Sequence, residues 1–332
     1  MPAPLRALLD RWHKELDPHP PGRTVVPPSA RALLLAATAQ RRGEPVLAIV
    51  AGEREAEDLV DDVALFSDEV LHLPAWETLP FEHVSPNVVT MAKRVQARHR
   101  LQQGESVVVV ASVRAVTQRV SPTSTNPIVL ELGIHNDFDG FIESIVQLGY
   151  LRTDRVEARG DMAVRGGIVD IYPPNQERPV RLDFWGDDLE SIRTFSPSSQ
   201  RSLDELDHVE IYPARELVID DRIVERAREL LVDAPWAAET WDRLTERVTF
   251  QGMESWLPWL AHPRTVLDET DGIVFLFDPA RCSDRAGDLI TEEADLAAAL
   301  ASTWGDGAPD AGAHPPLYLP LEIEHHACLL YT

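Results

Sequence analysis

The 332-residue chain carries 31 lysines and arginines against 55 aspartates and glutamates, a formal net charge of −24 at pH 7. A sequence-independent grip on DNA needs many cations facing phosphates, so this balance argues against such a role for the chain as a whole. The 44% hydrophobic content marks a globular protein, long enough for roughly two or three domains. No apolar run nears the roughly 20 residues that cross a bilayer, so no membrane association is expected. Residues 1–20 lack a secretory apolar stretch, and Cys282 and Cys328 make neither a disulfide framework nor a metal site. A cytoplasmic protein is expected.

After the Pro-rich stretch Pro18–Pro28, the pattern predicts a helix over Ser29–Gln40 with Ser29 as N-cap, ended by Gly43. Val46–Val50 is a continuous apolar run of the buried parallel-strand type. A helix rich in Glu and Asp follows over Glu53–Phe66, then a strand Glu69–Leu73, a helix Met91–Gln103 and a strand Ser106–Ala111. This alternation predicts an α/β fold with a parallel sheet. The segment Lys93–Arg100 reads as a solvated charged helix face rather than a nucleic-acid patch. The Pro/Ser/Thr cluster Ser121–Pro127 marks a boundary. From Ile128 to about Pro213 strands dominate, with one helix near Phe138–Leu148, giving an α+β module. Ile219–Val248 is helical and contains Trp236 and Trp241. Gly272–Phe277 is again a buried-type strand, followed by a helix over Glu292–Ser302. Its return to the first sheet makes the middle module an insertion. No internal repeat is visible.

Within the middle module, Arg165-Gly-Gly-Ile-Val-Asp-Ile-Tyr-Pro and Arg181-Leu-Asp-Phe-Trp-Gly-Asp-Asp-Leu-Glu-Ser-Ile-Arg193 read as three consecutive strands. Strand side chains alternate with a period of two. Val180, Leu182 and Phe184 therefore face one side, and Arg181, Asp183 and Trp185 the other. Likewise Val169 and Ile171 oppose Ile168, Asp170 and Tyr172. An indole between Arg and Asp has the composition of a protein-binding hot spot; single exposed apolar residues are also ordinary on a solvated sheet face. The alternation leaves both readings open.

Catalytic chemistry is thin. A phosphate-binding loop needs a Gly-rich turn ending in Gly-Lys-Ser/Thr, yet the only lysines are Lys14 and Lys93, preceded by His13 and Ala92. Ahead of the first helix the chain reads Val25-Val26-Pro27-Pro28-Ser29-Ala30-Arg31, and two prolines remove amide donors. The late strand ends Phe277-Asp278-Pro279, with proline where the second acid of an Asp-Glu box would stand. These two losses argue against ATP hydrolysis by this chain, and no cofactor, metal or catalytic residue is expected in it. Cys282 reads as a packing residue. Asp58, Asp61 and Asp62 read as a solvated helix face, and His325-His326 is a weak metal signal.

Together, these segments resemble the UvrB-like N-terminal region of the bacterial transcription-repair coupling factors. Leu73-Pro-Ala-Trp-Glu-Thr-Leu-Pro-Phe-Glu82 with Ser85-Pro86 looks like that family's hallmark loop. Gly149-Tyr150 to Asp154, Gly160-Asp161, Arg165-Gly166-Gly167, the block from Arg181, and Tyr212-Pro213-Ala214 match its second domain. Gly252-Met253-Glu254 with Trp256 and Trp259 resembles the return to the first domain. The likeness spans roughly residues 25–300. It implies a degenerate helicase-like, P-loop-type parallel-sheet domain (residues 1–122 and 263–332), interrupted by a UvrB-domain-2-like α+β module (123–214) and a small helical segment (215–262). It also implies a role in nucleotide excision repair, with UvrA bound through the second domain. The contacts would fall on Arg165, Arg181 and Trp185, with Asp183 on the same face; position 185 is usually Phe in the family. Truncating Arg181 or Trp185 is expected to weaken UvrA binding and to spare the fold.

The same resemblance implies partners reached only through further domains. RNA polymerase and double-stranded DNA, with ATP and magnesium for a motor, would belong to segments outside these residues. UvrB itself, a DNA-damage-binding ATPase, shares the second-domain pattern but keeps the nucleotide motifs missing here. The final Cys328-Leu-Leu-Tyr-Thr332 is what TGT-CTC-TTA-TAC-ACA encodes, a sequence found in a transposon adaptor. The expectation is that these five residues are not native and that the reading frame continues.

Overall fold

In a computed structural model, which describes residues 23–300, 304, 307–323 and 327–331, the chain divides into two units. Of the described residues, those up to Val84, Ala97–Ser121 and those from Ser255 onward form one; Ser85–Gln96 and Pro122–Glu254 form the other. In chain order the elements are β1 (Arg23–Val25), α1 (Pro28–Arg42), β2 (Val46–Val50), α2 (Glu53–Ala64), β3 (Val70–Leu73), α3 (Val88–Gln102), β4 (Val108–Ser112) and α4 (Val113–Thr117). There follow β5 (Ile128–Glu131), α5 (Phe138–Gln147), β6 (Leu151–Arg152), β7 (Asp161–Arg165), β8 (Ile168–Ile171), β9 (Val180–Trp185), β10 (Asp188–Phe195), β11 (Ser202–Leu206) and β12 (His208–Ile211). The last are α6 (Asp221–Asp233), α7 (Ala238–Thr245), α8 (Leu257–Leu260), β13 (Ile273–Phe277), α9 (Pro279–Leu300) and β14 (Ala327–Tyr331).

The fold is α/β, as the alternating pattern predicts. In the first unit a parallel six-stranded sheet runs β1-β14-β13-β2-β4-β3. A strand covered on both faces has no polar side, which is why β2 and β4 read as unbroken apolar runs; every residue of both is buried. The late strand β13 does return to this sheet, pairing with β2. Leu34, Leu35, Ala56, Leu59 and Val63 from the helices close one core over Val46, Ala48, Val108, Val110 and Phe277.

The second unit holds a mixed six-stranded sheet, β11-β10-β9-β8-β7-β6, and the antiparallel pair β12-β5. All neighbours in the larger sheet are antiparallel except β6 and β7. Its core face carries Met162, Val169, Ile171, Val180, Leu182, Phe184, Leu189 and Ile192, against Phe141 and Ile145 of α5. Residues 215–254, with α6 and α7, lie in this unit.

Three expectations give way. Helix α1 starts at Pro28 with Pro27 as N-cap and no side-chain cap, so Ser29 is inside the helix; proline in a first turn forfeits no intrahelical bond. The helix expected from Glu292 begins at Pro279, directly after β13. The basic stretch of α3 is not a solvated face, because Arg94 and Arg98 are buried. Arg94 Nε donates to Glu216 at 2.7 Å within the second unit. Arg98 donates to both Glu269 oxygens at 2.8 Å and from Nη2 to the Ser121 carbonyl within the first. Buried guanidinium groups persist only when paired and hydrogen-bonded.

Candidate protein-docking site

The four candidate residues lie on the strands β7 and β9 of the mixed sheet. Two short hairpins set their positions. Arg165 pairs with Ile168 across Gly166-Gly167, and Trp185 pairs with Asp188 across Gly186-Asp187. A Cβ at Gly167 would fall 2.3 Å from the Phe184 carbonyl oxygen, so the first turn needs glycine to lie against β9. Gly186 adopts φ 62°, a conformation a side chain resists. Trp185 is therefore the last strand residue before a tight turn.

Along β9 the predicted alternation holds, with Val180, Leu182 and Phe184 buried and Arg181, Asp183 and Trp185 more open. The outer face is not uniform. Asp170, directly opposite Arg181 in register, is only 1% exposed. Arg181 Nε donates to Asp170 Oδ1 at 2.7 Å and Nη2 to Oδ2 at 2.8 Å. This two-pronged pair holds the Arg181 pKa above its ordinary value, against the burial that would lower it. The guanidinium lies 4.8 Å over the Phe195 ring, above a small apolar cluster of Val156, Ala163, Tyr172 and Phe195. Arg181 keeps 17% of its side chain exposed.

The other three differ. Asp183 accepts from Ser191 Oγ at 2.7 Å and from Arg193 on β10. Arg165 reaches Asp170 only at 3.5 Å and keeps 51% of its side chain exposed. Trp185 is 78% exposed. Arg165, Asp170 and Arg181 thus meet at one carboxylate, Asp183 is tied to β10, and Trp185 projects at the hairpin end. Truncating Arg181 would leave the buried Asp170 carboxylate with only the 3.5 Å contact to Arg165, so a loss of stability is expected where the sequence reading expects the fold to be spared. The same alternation places Ile168, an exposed apolar residue opposite Asp183, on this face. What the sequence reading omits is the Ser191–Arg193 support, which the alternation extended to β10 would have found.

At the carboxyl ends of β1, β2 and β13 a cleft of about 470 Å³ is lined by Pro28, Arg31, Gly52, Glu55, Asp58 and Arg281, among others. It offers no lysine, its first loop is capped by Pro27-Pro28, and acidic side chains line it. Cys282 is buried and donates from Sγ to the Phe277 carbonyl at 3.2 Å; burial pushes its thiol up to about 12, so it is inert packing. Asp58, Asp61 and Asp62 are exposed on α2, with Asp58 bonded to Arg54. His325-His326 lies outside the described residues. Among the described residues no helix is long and apolar enough to cross a membrane.

With this geometry in hand, the comparisons place the module. Residues 128–217 match the UvrB interaction domain family, a span that contains all four candidate residues. Beyond that domain, the chain is 37% identical over 309 residues to the transcription-repair-coupling factor of Mycobacterium bovis, an alignment covering 86% of this chain and 25% of that protein. The Escherichia coli K12 transcription-repair-coupling factor is 30% identical over 238 residues, 69% of this chain and 21% of the relative. The UvrABC system protein B of Thermosipho africanus is 27% identical over 216 residues, 60% and 33% respectively. The chain is homologous to the transcription-repair-coupling factors along most of its length, as the sequence motifs indicate. It spans about a quarter of the length of those relatives.

Proposed function

We propose that this chain is the UvrA-recruiting part of a transcription-repair coupling factor, acting in the cytoplasm in nucleotide excision repair. The observation that carries the reading is Trp185, 78% exposed at a hairpin end inside the stretch matching the UvrB interaction domain. Large aromatics flanked by ordered polar groups dominate protein interfaces. Here Arg181 and Asp170 order the same face of the sheet, and Arg165 supplies a half-exposed cation on it. A face already ordered in the free protein loses less freedom on binding.

In this reading the parallel-sheet unit is a degenerate helicase-like domain that serves as scaffold. Recognition of stalled RNA polymerase, translocation on double-stranded DNA, and the ATP and magnesium these need belong to segments beyond these residues. The test is retention of purified UvrA by the immobilised chain. Retention is expected, and its absence refutes the proposal. The alternative, a UvrB-like DNA-damage ATPase, draws on the relative that shares the second-domain pattern. Equilibrium dialysis against ATP with magnesium separates the two: the docking reading expects no bound nucleotide, and stoichiometric binding would favour the ATPase.

A further inference from the structure

The strand-end cleft of the parallel sheet has the architecture of an anion site without the residues of a nucleotide site. Three helices of 15, 12 and 22 residues start at its rim, α1 at Pro28, α2 after Gly52 and α9 at Pro279. Neither α1 nor α2 has a side-chain N-cap. Helix N-termini carry partial positive charge and orphan amides that favour anions, and the crevice beyond the carboxyl ends of parallel strands is where such folds bind ligands. Arg31 adds a full charge. It is 9% exposed, lies 4.8 Å over the Phe277 ring, and its Nε has no hydrogen-bond partner.

What occupies this arrangement is the chain itself. Glu55, in the first turn of α2, presents one oxygen to each cation: Arg31 Nη1 lies 3.2 Å from Oε1 and Arg281 Nη1 lies 3.5 Å from Oε2. A carboxylate bridging two guanidinium groups at a helix N-terminus sits as a bound oxyanion would. The other acids of the cleft do not share this placement. Asp58 is engaged by Arg54 at 3.2 Å, and Asp278 reaches only one of the two cations, sharing Arg281 Nη1 with Glu55 at 3.4 Å.

We infer that this cleft is an oxyanion site permanently filled by the chain's own Glu55 carboxylate. The protein is thereby closed to phosphate groups at the place where the fold would otherwise take them. Loss of the phosphate-binding loop and installation of an internal anion are then two parts of one change. The site lies on the parallel-sheet unit, so the inference stands independently of UvrA docking.

The test compares thermal unfolding of the full chain as wild type, Glu55→Ala, Glu55→Gln and the double variant Arg31→Met/Glu55→Ala. Each is measured in inorganic phosphate, on the order of 50 mM, and in sodium chloride of equal ionic strength; that concentration suffices for a site of millimolar affinity. Phosphate stabilises most proteins through exclusion, so the readout is the phosphate-minus-chloride shift of each variant relative to wild type. Glu55→Ala and Glu55→Gln should each gain an extra rise of about 2 °C or more, and the double variant should lose it. Equal shifts in wild type and folded Glu55 variants would overturn the inference, as would a gain that survives in the double variant. Should the Glu55 variants not fold in chloride, recovery of the fold in phosphate by these variants but not by the double variant supports the inference, and recovery by all of them or by none overturns it.

Discussion

In the parallel-sheet unit, Arg31 and Arg281 share Glu55 at the strand ends. In the mixed-sheet unit, Asp170 is likewise claimed by Arg181, yet Arg165 and Trp185 are left facing outward. Both units contain a buried or half-buried arginine on a carboxylate, and at the mixed-sheet site exposed groups remain on the same face as the pair. A partly buried arginine in a cleft is therefore a poor indicator of a binding site. The informative quantity is what remains exposed once internal pairs are formed. On the mixed sheet that remainder is an indole, an isoleucine and a guanidinium on three adjacent strands.

The sharpest way to break this contrast is Arg181→Ala. Removing one partner of a buried pair leaves an uncompensated charge and typically costs about 3–5 kcal/mol. Chemical denaturation should show a loss of that order, and Arg181→Lys, which keeps charge but not the two-pronged geometry, should lose less. An unchanged midpoint would mean that Arg181 is a free surface residue. Arg165→Ala probes the surplus instead. Its long contact to Asp170 and its exposure predict a stability change within about 0.5 kcal/mol and a loss of UvrA affinity of about 1 kcal/mol, read from a binding titration. A large stability loss with no change in affinity would reverse the roles given to Arg165 and Arg181.

The smallest expected effect concerns Glu53, a second internal anion of the parallel-sheet unit. Burial works to raise its pKa, but hydrogen bonds involving His72 and Ser112, with the Ala75 amide, outweigh that and hold it below the ordinary 4.5. The folded state then binds fewer protons than the unfolded chain between the depressed and ordinary values, so stability rises with pH across that window. The contribution is present above about pH 4.5 and is lost as pH falls through the folded value. Urea midpoints of Glu53→Gln should depend less on pH in that range than those of wild type. Parallel pH profiles would remove this role from Glu53.

Much of this was legible in the sequence where a period carries the information. The unbroken apolar runs of β2, β4 and β13 identify a parallel sheet because both faces are covered. The strict alternation of β9 separates Leu182 and Phe184 from Arg181 and Trp185. What the pattern could not convey were pairings between residues distant along the chain. Arg94 and Arg98 read as a solvated stripe because their partners, Glu216 and Glu269, lie 122 and 171 residues away. Asp170 shows the same limit at short range. Alternation puts it on the outer face, and only the register against Arg181 reveals that the pair is buried. Helix α9 was missed over its first turns because Pro279 reads as a breaker when it stands at a helix start.

The central claim, that Trp185 is a docking residue on a pre-ordered face, is tested most directly by titrating purified UvrA with wild-type chain and with Trp185→Ala, alongside their denaturation curves. The account predicts a Kd weaker by roughly 30-fold, or about 2 kcal/mol, with unfolding midpoints that coincide. Equal Kd values for two folded proteins would contradict it.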